Sequence, residues 1–411
     1  MKRYDIGFQQ ALRLTLTHMP APRKEILPIL QAAGRICAEP VYSMVDSPSV
    51  DASIKDGFAV FSRDLTTASE TAPVRLALSG RVAAGECSAR KVLPGNALRI
   101  LSGAPIPDGA DAVLAEEFAR TEGDTVLALA DASKGRNILP QGADVKSGEI
   151  LADAGMVITP PLTSLLVAGG IAAVPVFTHP RVGLLATGSE VLLPGRILEK
   201  GKLFASNVAL QEAWLRTKKL ETNLLHAADD GGAIQTAVAD LLSRSDVVVT
   251  SGGAWKGDRD LIVKVLAAMG AEQIFHRVRM GPGKAVGLAI LDGKPVFCLP
   301  GGPTSNEMAF LMIALPGILK MAGHSRFPYL RLTGALETPV NGQADWTQFV
   351  QCRIILQEDR ALLRPEKLKS RLTGMFRTQA LVEIPEGVTT LSAGQAVPYW
   401  CLDRSVFSVS F

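Results

Sequence analysis

The sequence predicts a multidomain α/β protein built on a doubly wound, mostly parallel sheet domain at residues 179–324. A β-rich insertion domain at 46–140, a helical/linker domain at 1–45 and 141–178, and a small C-terminal β domain at 328–411 complete it. Three observations predict this architecture. With 411 residues the chain exceeds what one simple core supports, so two to four domains are expected. From Arg181 to about Gly323, strand-like and helix-like stretches alternate, the pattern of strands joined by crossover helices. Between 46 and 140 that pattern gives way to short β runs broken by turn residues.

The first 45 residues read as helical. Phe8, Leu12 and Leu14 give one apolar edge; Ile26, Ile29, Leu30 and Ala33 give another, closed by Gly34 as a C-cap. The insertion domain contributes the runs DGFAVF, PVRLAL, ALRILSG, ADAVLAEEF and TVLALA. Residues 141–178, rich in Gly, Pro and apolar side chains, read as connecting structure with one buried helix. RVGLLATG is then a buried strand running into a Thr-Gly turn, and Ser206 opens a helix. TNLLHAA and DVVVTSGG are the next strands. The helices after them carry Ile234, Val238, Leu241 and Leu242 on one face, and Ile262, Val265, Leu266 and Met269 on another. Asp292-Gly293 marks a two-residue hairpin. PVFCLP leads through a glycine turn into a long helix, where Thr304 and Glu307 have capping-box spacing. From 328 onward the texture is strand and turn.

Composition excludes several functions. A net charge of +3 gives no sign of a nucleic-acid surface. Cys37, Cys87, Cys298, Cys352 and Cys401 are scattered, which argues against zinc or dithiol chemistry and fits a reducing compartment. Asp5 and two glutamines interrupt what a signal peptide would need as an apolar stretch. The run 158–177 is broken by prolines and glycines, and 308–319 falls short of the ~20 residues that span a bilayer. A cytoplasmic protein with no membrane partner is expected. Neither nucleotide fingerprint is intact: no Walker A loop occurs, and Gly281-Pro282-Gly283-Lys284 lacks the third glycine of a dinucleotide loop.

What remains is a set of glycine turns at strand ends, where open α/β sheets bind ligands. Thr187-Gly188-Ser189-Glu190, Thr250-Ser251-Gly252-Gly253 and Pro300-Gly301-Gly302-Pro303 each end a strand. Glycine lets backbone N–H groups approach a ligand, hydroxyls add donors, and a following helix adds partial positive charge. A single such turn needs no explanation beyond the tight junction of strand and helix. Three on one sheet edge favour a phosphate or oxyanion pocket. Glu190, Asp229-Asp230, Asp258 and Asp260 gather at the same turns. Carboxylates beside a phosphate need a cation, and hard oxygen ligands suggest Mg²⁺. Taken singly, Asp258 reads as a helix N-cap and Asp230 as a turn former. Lys256, Arg277 and Lys284 are candidate counter-charges or solvated surface residues. In the insertion domain Asp51, Ser53 and Asp56 share one polar turn, and Ser102-Gly103-Ala104-Pro105 together with Asp108-Gly109-Ala110-Asp111 is a second polar turn cluster.

Six segments, in order, resemble the molybdopterin molybdenumtransferase family (MoeA and the gephyrin E domain). DASIKDGFAV resembles the family's D-N-S-A-M-D-G-Y-A-V, and RILSGAPIPDGADAVLAEE its R-I-x-T-G-A-P stretch. GRNILPQGADVKSGEIL, LLATGSEVLLPG, VVVTSGGAWKGDRD and PVFCLPGGPTS resemble four further family segments, so the likeness spans about 50 to 305. The resemblance implies an elongated four-domain homodimer whose cleft lies between the α/β domain of one subunit and the insertion domain of the other. It implies that molybdate and adenylated molybdopterin are substrates, that AMP is released, and that Mg²⁺ assists. By the same resemblance Asp56, Ser102, Asp260 and Glu190 are catalytic, and Glu190, Asp229 and Asp260 hold the metal. Thr187, Gly188, Ser251, Gly252, Gly253, Arg277, Lys284, Pro300, Gly301, Pro303 and Ser370 contact substrate. Implied protein partners are the molybdopterin adenylyltransferase and recipient molybdoenzymes. Lys55, Leu139, Ala143, Gly281 and Gly302 depart from the family's Met, Arg, Glu, Arg or Lys, and Asn, and the lost cations weaken an anion site. A paralogue that binds molybdopterin or its metal-loaded product without catalysis, as carrier or scaffold, is the alternative reading.

Overall fold

The computed structural model describes residues 4–85, 91–252, 261–357, 360–366 and 371–403. The chain forms two compact units, one of Met1–Lys24 with Phe177–Phe411 and one of Glu25–Val176. Among the described residues no helix is long and apolar enough to cross a membrane.

In the first unit, strands Val182–Thr187, Thr222–Ala227, Val247–Ser251 and Lys294–Leu299 run parallel, with Val182–Thr187 between the second and third. Val182–Thr187 and Val247–Ser251 are buried along their whole length, as strands covered on both faces must be. Adjacent residues feed opposite cores: Leu184 and Val249 pack with Phe297, while Leu185 and Val248 pack with Val296. The predicted helical faces form the lids, with Ile234, Val238, Leu241 and Leu242 buried from one helix and Ile262, Val265 and Leu266 from the next. The sheet is parallel only in part, because Gly287–Leu291 and Glu272–Gly281 join it antiparallel. Asp292 and Gly293 form the expected hairpin, at φ of 50° and 75°.

Beyond the α/β region, Leu330–Leu336, Thr347–Leu356, Ala361–Pro365, Ala380–Ile384 and Ala396–Cys401 pair in a closed ring. This barrel-like sheet surrounds Leu336, Leu363, Val382 and Tyr399. In the second unit the five expected β runs are all strands of one six-stranded sheet, which Ala119–Glu122 completes.

Three local expectations are corrected. Ile26 to Ala33 is not a helix: Lys24–Pro28 is a strand followed by a short 3₁₀ turn. Pro28 lacks the N–H a helix interior needs and holds Leu27 extended. Ile26 and Leu30, read as part of an apolar helical edge, are 74% and 83% exposed. The helix at Pro160–Ala168 buries only Leu166, so it is not a core helix. Thr304 and Glu307 make no capping box, since the helix starts two residues earlier, with Gly302 as N-cap and Pro303 in the first turn. That helix runs from Pro303–Ala309 through a wide π segment at Phe310–Ala314 into Leu315–Met321. Glu307 is instead buried against Gln351, whose amide donates to its Oε2 at 3.0 Å.

Candidate functional site

The carboxyl ends of the parallel strands open into a cavity of about 880 Å³. Thr187, Gly188 and Glu190 line it from the first turn, Asp229 from the second strand, Ser251 and Gly252 from the third, and Gly301 and Pro303 from the fourth. Eight of the residues predicted to form the site therefore share one space.

Hydrogen bonds tie the turns together. The Thr187 hydroxyl donates to the Ser251 carbonyl at 3.2 Å. Gly252, at φ 108°, passes so close that a Cβ there would lie 2.7 Å from Thr187 Oγ1 and 2.8 Å from its carbonyl oxygen. Ser189 and Asp229 bond reciprocally: the Ser189 N–H donates to Asp229 Oδ2 at 3.2 Å, and the Asp229 N–H to Ser189 Oγ at 3.0 Å. His226 Nε2 lies 2.9 Å from the Gly188 carbonyl, which can only accept, so that nitrogen carries the proton.

A second layer of amides was not foreseen. Asn207 Nδ2 donates to Ser251 Oγ at 3.1 Å and to the Gly301 carbonyl at 2.9 Å. Asn306 Nδ2 donates to the same Ser251 Oγ at 3.1 Å and to the Pro300 carbonyl at 2.8 Å. Gln211 holds Asn306 Oδ1 at 2.7 Å. With two N–H groups on its oxygen, the Ser251 hydroxyl keeps its proton for an acceptor in the cavity. The available signal was polar residues set into apolar helical faces, since Gln211 and Asn306 are both fully buried. Ser206–Thr217 begins at the cavity with no side-chain cap, which leaves its first-turn N–H groups and the positive end of its dipole there.

Glu190 and Asp229 face the same cavity. Among the described residues no three acidic, His or Cys side chains come together as a metal site, and the third predicted ligand, Asp260, lies outside those residues. Two carboxylates facing one cavity are of the hard-oxygen type that Mg²⁺ accepts, an ion that takes few protein ligands and keeps several waters. Asp230 takes the bland role, capping the next helix through a bond from the Ala233 N–H at 2.7 Å.

Other predicted residues sit elsewhere. Lys284 and Pro300 line a separate hollow of about 360 Å³, where Lys284 Nζ stands 5.9 Å from the Trp346 ring centroid. Arg277 lines neither hollow; its Nε is 3.4 Å from the Asp5 carboxylate. Asp56 and Ser102 belong to the Glu25–Val176 unit, where the Ser102 N–H donates to Asp56 Oδ1 at 2.6 Å. Lys55 beside them pairs with Glu117 at 3.4 Å. Leu139 faces Ala52 across a two-stranded ladder. Gly253, Lys256, Asp258, Asp260 and Ser370 lie outside the described residues. Arg371, next to Ser370, does line the main cavity.

Known proteins match along nearly the whole chain. Residues 6–170 match the family model "MoeA N-terminal region (domain I and II)", and 183–320 match "Probable molybdopterin binding domain". The molybdopterin molybdenumtransferase of Bacillus subtilis is 30% identical over 407 residues, covering 96% of this chain and 94% of that one. The Staphylococcus aureus protein of the same name is 29% identical over 401 residues, covering 96% and 95%. A solved structure of the molybdopterin biosynthesis moeA protein from Pyrococcus horikoshii superposes with a TM-score of 0.84 at 32% identity, over 97% of this chain and 99% of that one. A second, from Pyrococcus horikoshii OT3, gives 0.80 at 26% identity over 97% and 100%. Likeness of this extent, in sequence and in fold together, makes the chain a member of the molybdopterin molybdenumtransferase family.

Proposed function

We propose that this protein transfers molybdenum from molybdate to adenylated molybdopterin, with release of AMP, in molybdenum cofactor biosynthesis. The observation that carries the reading is the single cavity in which glycine turns, the Ser251 hydroxyl and two carboxylates meet. Breaking the adenylyl–phosphate bond requires pre-placed donors around the developing negative charge, and no nucleophilic Ser-His or Cys-His pair. The Gly188 and Gly252 turns bring backbone close to the ligand, and the Ser206 helix offers its N–H groups. Asn207 and Asn306 hold the Ser251 hydroxyl so that it donates inward. Glu190 and Asp229 would hold Mg²⁺, with Asp260 as a third ligand, and the ion would neutralise phosphate charge. Asp56 and Ser102, fixed to each other, are proposed to complete the cleft from a second subunit. Exposed Ile26, Leu30, Tyr42, Met44 and Ile150 on the Glu25–Val176 unit support that homodimer. The division at 46–140 and 328–411 into four domains belongs to the same proposal.

The test is incubation with adenylated molybdopterin, Mg²⁺ and molybdate. AMP release that depends on molybdate is expected. Tight binding without AMP would replace the reading with that of a carrier.

A further inference from the structure

Within the described residues, the main cavity has one cationic side chain in its lining, and it comes from the barrel-like region rather than from the strand turns: Arg371. Two other arginines of that region are tied to carboxylates. Arg353 reaches Glu366 at 2.7 Å, and Arg364 holds both oxygens of Glu337 at 2.6 Å. Arg371 has no such acidic partner among the described residues, and its guanidinium instead lies over Gly302. A Cβ built on Gly302 would stand 4.0 Å from Arg371 Nη1, and no other atom comes as near. Gly302 itself has φ −70° and ψ 128°, an extended conformation open to any residue. The backbone does not require glycine here, and a Cβ alone would make only ordinary contact with the guanidinium, whereas a longer side chain at 302 would reach into the space it occupies.

We propose that Arg371, seated over Gly302, is the residue that grips a tetrahedral oxyanion at this end of the cavity. The planar fork of guanidinium donors matches two oxygens of such an ion at once, which a lysine ammonium does not. Across the cavity the Ser251 hydroxyl and the first turn of the Ser206 helix supply the remaining donors. The positive charge offsets the Glu190 and Asp229 carboxylates that line the same space. The inference rests on the function proposed above, and the oxyanion is either molybdate or the phosphate of the adenylated substrate.

Calorimetric titration of the full chain with sodium molybdate and, separately, with AMP tests it. Arg371→Ala is expected to weaken one or both ions by tenfold or more, and Arg371→Lys to recover only part of the loss. Loss confined to molybdate puts Arg371 at the metal-oxyanion end, and loss confined to AMP puts it at the phosphate end. Gly302→Asn, which fills the room without straining the backbone, is expected to cause a similar loss alone and no further loss in the Arg371→Ala background. Binding within twofold of wild type in Arg371→Ala, or independent losses that multiply in the double variant, overturns the assignment while leaving the proposed function standing. A wild-type chain that binds neither ion overturns both.

Discussion

Ser251→Ala separates the two jobs the structure gives one hydroxyl. Its oxygen accepts from Asn207 and Asn306, and its proton is left for a ligand. The two amides do not suffer equally. Asn306 is fully buried, so its freed N–H has nothing to replace the serine, at a cost of about 1–3 kcal/mol. Asn207 is half-buried and regains water. Stability should therefore fall by about 1–3 kcal/mol, and not by twice that. Anion affinity loses a hydrogen bond to a charged group, about 1.5–3 kcal/mol, or roughly ten- to a hundredfold. Urea unfolding reads the first quantity, and calorimetry with molybdate and AMP reads the second. Unchanged affinity alongside the expected loss of stability would show that the proton points away from the ligand. Unchanged stability would show that Asn306 does not depend on the serine.

Three further outcomes are expected. Gly252→Ala places a methyl 2.8 Å from the Thr187 carbonyl at a φ of 108°, so it should cost about 2–4 kcal/mol in thermal or urea unfolding and weaken anion binding; full stability would mean the turns are not in contact as described. Burial pushes the Glu307 carboxyl up from 4.5 to about 7, so the folded chain holds its proton when the unfolded chain has lost it. Stability from this group is full below about pH 4.5 and declines by roughly 3 kcal/mol as pH rises to about 7. In Glu307→Gln that decline should vanish from a pH series of unfolding curves. Glu190→Gln combined with Asp229→Asn should weaken Mg²⁺ binding tenfold or more by calorimetry without loss of fold, and unaltered binding would remove both from the metal site.

Periodicity made the α/β region legible. Buried strands, apolar helical faces and the Asp292-Gly293 turn all carry local signals that tertiary structure had no reason to override. The glycine turns were legible for the same reason, because a strand end followed by a helix fixes where they lie. Ile26 to Ala33 misled because its apolar spacing serves an exposed surface, and Pro28 decides the backbone. The Thr304 and Glu307 spacing misled because Pro303 starts the helix early and moves both residues out of capping range. Asn207 and Arg371 were not legible at all, and Asn306 only as a polar residue set into an apolar helical face. Each gains its meaning from a neighbour distant in sequence, Asn306 through Ser251 and Arg371 through Gly302.

The π segment at Phe310–Ala314 sits between two ordinary helical stretches, buried throughout. A π turn takes up one residue more than an α turn, which rotates whatever follows it by roughly a quarter of a circle relative to whatever precedes it. One rod can thereby satisfy two surroundings whose demands are out of phase. Its opening turns offer Asn306 and Glu307 to polar neighbours, while its closing turns offer Ile318 and Leu319 to oil. Removing a single residue from that stretch would force a choice between the two, and either the amide bridge or the core would have to go unserved.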